Sequence, residues 1–189
     1  MSNFTVHTPE SAPEAAQPAL QSAKQAFGAI PNLIGVLAEA PAAAEAYLEL
    51  SRLAGETSFT PAERHVVWFT INAENGCDYC MAAHTAIAKS EQIDGDVIES
   101  ARKVGAYDDP RLEALRKFTL VALRERGWIP QADLDAFYAA GYGRQQVLEV
   151  ILLLAHKTIS NYTNHVASTP VDKPFQAFEW SKDAVGTAG

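Results

Sequence analysis

The sequence predicts an all-α protein. No segment alternates apolar and polar residues with β-branched enrichment between turn signals, as a half-buried strand would. Helix starts are marked by proline and capping residues, as at Thr60-Pro61-Ala62-Glu63, and glycines stand where the helical patterns stop.

Taken in order, residues 1–13 carry Pro9 and Pro13 with little periodicity and read as a flexible N-terminus. A helix is expected over 14–27, stopped by Gly28, then a short helical piece at Ile30-Pro31-Asn32-Leu33. Pro41 opens a helix to about residue 53, and 55–59 is a connection. Thr60 caps the next helix, Pro61 suits its first turn and Glu63 completes a capping box. Asn75-Gly76 breaks it, and another helix follows over 77–90. Further helices are expected over 94–104, 110–126 and 130–140, closed by Gly105, Gly127 and Gly141. A last long helix over 144–165 contains the apolar run 147–155, which reads as the central buried helix. Residues 14–169 thus form one helical domain. Residues 170–189, with two prolines and Phe175, Phe178 and Trp180, read as a tail packed on the surface or on a neighbouring subunit.

Composition narrows the function. The net charge of −8 argues against nucleic acid or an anionic membrane surface as the main partner, since both need basic patches. No run is long and apolar enough to span a bilayer. The first residues, Met1-Ser2-Asn3-Phe4, show neither a basic region nor an apolar signal core, so a cytoplasmic protein is expected. The chain has two cysteines, too few for a secreted disulfide framework. A cytosolic Cys-x-x-Cys points to redox or metal chemistry.

Those two residues lie in Cys77-Asp78-Tyr79-Cys80-Met81-Ala82-Ala83-His84. A thiol attacks as its thiolate, and a first-turn position on a helix favours that anion. Cys80 falls in such a turn, and His84 lies on the same face one turn on, as a candidate base. Cys80 is therefore the expected attacking thiol and Cys77 the resolving one. The preceding helix carries His65, Trp68, Phe69 and Asn72, with His65 and Asn72 seven apart on one face. Folded back at Gly76, it places Asn72 opposite Cys80 and His65 near His84. Cys77, Cys80, Met81, His84, Ile87 and Ala88 are expected to share the facing surface. The slot between would hold two thiols, two imidazoles and an amide, and would admit a small apolar oxidant. Trp68, Phe69 and Asn72 are the candidate substrate-lining residues, with core packing as their plainer role. Zinc held by Cys77, Cys80, His84 and His65 is the competing reading, set against it by the crowding of three ligands on one helical stretch. His156, Asn161, Asn164 and His165 mark either a second polar site or a helix end at a subunit contact, and the contact is the favoured reading.

Pro61-x-Glu63-Arg64 leading to Asn75-Gly76-Cys77-x-Tyr79-Cys80-x-x-x-His84 resembles the AhpD-like alkylhydroperoxidases of the carboxymuconolactone decarboxylase superfamily. Phe27-Gly28-x-Ile30-Pro31-Asn32, and Asn161-x-x-Asn164-His165 leading to Pro170-x-Asp172, resemble its peroxidase-related branch. The resemblance covers residues 25–175. It implies an all-helical fold, a trimer or hexamer, and no organic cofactor or metal. It implies a hydroperoxide substrate reduced by Cys80, with Cys77 resolving and His84 in a proton relay. It also implies a dithiol reductant such as a lipoyl protein. The relay of that family begins with a glutamate twelve residues before the first cysteine. His65 stands there in this chain, and Glu63 lies on another helix face. His65 is thus the candidate relay partner, and a redox-sensing or disulfide-exchanging protein is the alternative. Those enzymes also have a histidine where this chain has Tyr79. The decarboxylase branch lacks the cysteine pair, so lactone decarboxylation is not expected.

Overall fold

A computed structural model of the chain describes residues 4–186. Residues 1–3 of the expected flexible N-terminus and 187–189 of the expected tail lie outside the described residues. The helices are α1 (Gln17–Phe27), α2 (Asn32–Leu37), α3 (Pro41–Gly55), α4 (Pro61–Asn75), α5 (Asp78–Ser90), α6 (Gly95–Arg102), α7 (Pro110–Arg124), α8 (Gln131–Ala139), α9 (Arg144–Ala167) and α10 (Lys182–Gly186). No strand occurs among the described residues. The helix expected over 14–27 is two pieces, a 3-10 turn at Glu14–Ala16 and α1, with Pro18 in the first turn of α1.

The central helix is α4. Thr60 Oγ1 accepts the Glu63 N–H and Glu63 Oε2 accepts the Thr60 N–H, so both ends of the capping box are made. Arg111 pairs with Glu63 at 3.0 Å and lies over the Tyr142 ring, which fixes α4 against α7. Residues Val66, Val67, Phe69 and Ile71 are all buried, because α4 packs on α5, α6, α7 and α9. It ends at Gly76, whose φ of 65° suits a residue without a Cβ. The Cys77 N–H then reaches back to Asn72 O, closing a Schellman-type turn that reverses the chain into α5.

The long helix α9 is not the buried centre expected from its apolar run. Val150 and Leu153 are buried, but Leu148 is 67% exposed and Ile151 nearly half exposed. Its inner face is completed by polar residues further along: His156, Lys157, Ser160, Asn161 and Asn164. The run from 147 to 155 wraps around the helix, so only a stripe of it can face inward.

Two apolar clusters make up the core. One joins α4 with α6–α9, and within it Phe137 stacks between Phe118 (4.0 Å) and Tyr142 (4.5 Å). Phe137→Ala is expected to cost about 3–5 kcal/mol, the range for emptying a buried aromatic site. A denaturant midpoint shifted accordingly, with the thiol chemistry of the folded protein unaltered, would check it. The second cluster joins α1, α2 and α3 with Cys77, Tyr79, Cys80 and Ala83. The thiols therefore sit at the seam between the N-terminal helices and the rest.

Both ends of the described chain lie against this seam. The His7 N–H bonds to Gly35 O, and a Cβ on Gly35 would stand 2.8 Å from His7 O, so α2 needs glycine there. The 3-10 turn Lys173–Phe178 packs on α5. Trp180 Nε1 donates to Arg102 O, and Arg102 donates to Phe178 O and Glu179 O. Lys182 Nζ caps the end of α4 through Glu74 O.

Candidate active site

Cys77 is the extended N-cap residue of α5, and Cys80 is the third residue of the helix. Both are free thiols, 1% and 2% exposed. Cys80 thus lies among the unpaired first-turn amides, where an anion is favoured. The shared face expected for α5 is divided. Cys77 and Cys80 turn towards the N-terminal cluster, while Met81 and Ala88 join the other core. A helix caught between two clusters distributes its apolar residues around its circumference.

The groups around the sulfurs come largely from α9. Asn164 Nδ2 donates to Cys80 Sγ at 3.3 Å and lies 3.9 Å from Cys77 Sγ. Lys157, Ser160, Asn161 and Asn164 follow helical spacing and form one polar stripe. His156, Asn161 and Asn164 are therefore buried inside this chain, not placed at a subunit contact; His165 is exposed. Asn161 joins Asn72 Oδ1 and Asn75 Nδ2 at 2.9 Å each, tying α9 to the last turns of α4. Asn72 is thus a brace behind the turn, and the amide at the thiols is that of Asn164.

Lys157 is buried beside this group. Its Nζ lies 2.7 Å from His84 Nε2 and 5.9 Å from the Trp68 ring. An ammonium can only donate, so His84 Nε2 is the acceptor and the imidazole proton sits on Nδ1. That Nδ1 is buried without a partner. His84 stacks near Trp68 (4.8 Å) and meets the edge of His65 (5.9 Å), with Phe69 at 6.3 Å. His65 Nε2 lies 3.3 Å from Glu91 Oε2. A carboxylate therefore reaches His65 from the end of α5, while Glu63 is held in the cap of α4. On the α3 side, Tyr47 stacks on His156 at 4.7 Å and packs against the thiol cluster.

The electrostatics separate the two thiols. Burial pushes Cys80 up, but the Cys77 hydrogen bond, the Lys157 charge and the Asn164 and Ser160 donors outweigh it and bring Cys80 down to about 6. Sharing its proton with Cys80 raises the Cys77 thiol, and burial adds to this, so Cys77 stays protonated. Burial, then the Lys157, His65 and His156 charges, hold His84 well below the ordinary imidazole range. Burial lowers His65 too, against the opposing pull of Glu91. Burial lowers Lys157, and the two sulfurs oppose this. These shifts favour a Cys80 thiolate beside a Cys77 thiol and neutral imidazoles at neutral pH, with Lys157 as the cation whose charge the sulfurs support.

Of the residues singled out in the sequence, His65, Trp68, Phe69 and His84 form one ring cluster, while Cys77 and Cys80 lie with the N-terminal helices and are linked to the rings through Lys157. Sequence reasoning missed Lys157, Asn164 and Glu91 as parts of the site. Among the described residues no three His, Cys, Asp or Glu side chains are grouped to hold a metal ion, so the Cys77, Cys80, His84 and His65 set does not converge. Tyr79 is a clamp. Its hydroxyl donates to Asp172 and accepts the Leu33 N–H, while Asp172 accepts the Asn32 N–H at the start of α2.

The described residues form an all-helical fold around a buried Cys-x-x-Cys-x-x-x-His turn. Residues 41–120 match the Carboxymuconolactone decarboxylase family. The solved AhpD-core structure of an uncharacterized peroxidase-related protein from Ralstonia eutropha JMP134 is similar over 92% of this chain and 94% of that chain, at 20% identity and a TM-score of 0.79. A peroxidase-related protein from Silicibacter sp. TM1040 is similar over 92% of each chain, at 17% identity and a TM-score of 0.75. The debrominase Bmp8 in its apo form is similar over 98% of each chain, at 16% identity and a TM-score of 0.78. No curated protein matches the sequence. The fold is thus AhpD-like, and residues 41–120 carry the match to that family.

Proposed function

We propose that the chain is a dithiol peroxidase that reduces small hydroperoxides. The observation that carries this reading is the pairing of Cys80, held as a thiolate by Lys157 and Asn164, with a protonated Cys77 three residues away. The Cys80 thiolate attacks the outer peroxide oxygen and becomes a sulfenic acid, and Cys77 condenses with it to a disulfide. His84, with His65 and Glu91 behind it, supplies the proton path. Trp68 and Phe69 pack around His84 and His65 and keep water from the imidazoles.

The burial of both sulfurs favours a small oxidant over a protein disulfide, which supports peroxide reduction over the sensing or exchange alternative. The same burial suits re-reduction by a dithiol on a long arm, such as a lipoyl group, in a reducing cytoplasm. Leu148, Ile151, Tyr162 and Val166 form an exposed apolar stripe on α9, a surface suited to a trimer or hexamer of this chain. No helix among the described residues is long and apolar enough to cross a membrane.

The test is a thiol count on reduced protein before and after one equivalent of cumene hydroperoxide, with the rate followed against pH. Loss of two thiols at a rate governed by an ionisation near 6 is the expected result. Loss no faster than for glutathione would sink the peroxidase reading. One similar structure is that of Bmp8 C82A with 2,3,4-tribromopyrrole, so a bromopyrrole is the comparison electrophile. Faster thiol loss with it would move the assignment to reductive dehalogenation.

A further inference from the structure

We infer that Lys157 is the proton carrier of the thiol pair, charged opposite the Cys80 thiolate and neutral opposite the Cys77–Cys80 disulfide. The inference rests on the reading of those cysteines as a redox couple, and it goes beyond that reading by giving the couple its proton.

Lys157 is 1% exposed, so its ammonium is enclosed by protein. The groups that face it are few. From α5 they are Cys77, Cys80 and His84; from α4, His65 and the Trp68 ring; on α9 itself, the neighbouring His156. Tyr47 on α3 completes the wall around the sulfurs. No carboxylate pairs with Lys157 among the described residues, since Glu91 is spent on His65 and Glu63 on Arg111. The one anion this setting offers is a thiolate. A buried ammonium without an anion is strongly disfavoured, and a lysine in that position gives up its proton. Closing the disulfide removes the anion and therefore the reason for the charge.

The chemistry balances within the site. As Cys80 attacks the hydroperoxide, an S–O bond forms and the O–O bond breaks. The departing alkoxide takes the Lys157 proton and leaves as the alcohol. Cys77 sulfur then attacks Cys80 sulfur: the S–S bond forms, the S–O bond breaks, and hydroxide leaves with the Cys77 proton as water. What remains is a disulfide and a neutral amine, with no charge stranded in the core. A dithiol reductant returns two electrons and two protons, one to Cys77 and one to Lys157.

The pH dependence of the reduction potential reads this directly and needs no peroxide. The full chain is equilibrated with reduced and oxidised dithiothreitol between pH 7 and 8.5, with the thiolate absorbance of the reduced protein followed in the same samples. If Lys157 gains its proton with the electrons, two protons accompany two electrons. The protein's potential then falls about 59 mV per pH unit, in step with that of dithiothreitol, so the exchange constant between the two stays level while the absorbance shows Cys80 already ionised. A potential falling by only about 30 mV per unit, read as a tenfold change in the exchange constant per pH unit, would mean that Lys157 keeps its proton in both states and would overturn the inference. So would a two-proton slope from a Cys80 that is not ionised. Lys157→Arg, which stays charged in both states, is expected to fall to the one-proton slope, and a two-proton slope there would also overturn it. The wild-type chain decides the matter even where that variant folds poorly. Absence of any reversible two-electron couple would instead sink the dithiol reading itself.

Discussion

Cys80→Ser is expected to reduce peroxide turnover to the uncatalysed level, whereas Cys77→Ser is expected to react once and stop. The difference follows from where the two sulfurs sit. Cys80 is in the first turn of α5, within reach of Asn164, and is the sulfur whose ionisation is favoured. A serine hydroxyl in its place does not ionise at neutral pH, so no nucleophile remains. Cys77 is the cap, holds its proton and donates to Cys80. A serine there can still donate a hydrogen bond, so the first step survives, but it cannot close a disulfide. The sulfenic acid on Cys80 should therefore persist and be captured by dimedone, with mass spectrometry placing the adduct on Cys80. Cys77→Ala removes the donor as well, so its first step should need a higher pH than that of Cys77→Ser. Equal residual multiple turnover in the Cys80 and Cys77 serine variants would sink both roles.

What the sequence revealed follows the range of the interactions involved. The start of α4 was legible because Thr60, Pro61 and Glu63 act on one another within a single turn. The turn at Gly76 was legible for the same reason, and with it the approach of His65 to His84. Lys157 and Asn164 were not, because they meet their partners across 73 and 84 residues, and a lysine on a helix ordinarily reads as solvated. A signal was present: Lys157, Ser160, Asn161 and Asn164 fall on one face, while the apolar residues Ile151, Tyr162 and Val166 fall on another. That inversion marks a helix whose polar side is the functional one. Glu91 was hidden because the family's pattern directs attention upstream of the cysteines. It lies seven residues beyond His84, on the same face two turns on, and reaches His65 from there.

Lys157→Met should move the pH profile of the first thiol oxidation by more than two pH units without unfolding the protein. Methionine fills the same slender volume, and with no ammonium present Cys80 can revert to a neutral thiol, so no unpaired charge is left in the core. Loss of the lysine therefore need not lower the melting temperature. The thiol is another matter. Burial is the largest influence on Cys80 and acts upward; Lys157 is the one full charge among the influences that bring it down to about 6. Without it, burial prevails over the neutral donors Asn164, Ser160 and Cys77, and Cys80 should titrate above a free cysteine, at roughly 8.5 or higher. The sign is then fixed. In the wild type the rate should rise as pH passes through about 6 and be nearly level at 7. In the variant it should still be climbing at pH 8, and at pH 7 it should be lower by at least about thirtyfold, the ratio of the thiolate fractions. A fall of that size at pH 7 that recovers by pH 9 assigns the loss to the missing charge. A uniform fall at every pH would assign it to disturbed packing, and an unchanged profile would mean that Asn164 and the first turn of α5 suffice to hold the thiolate.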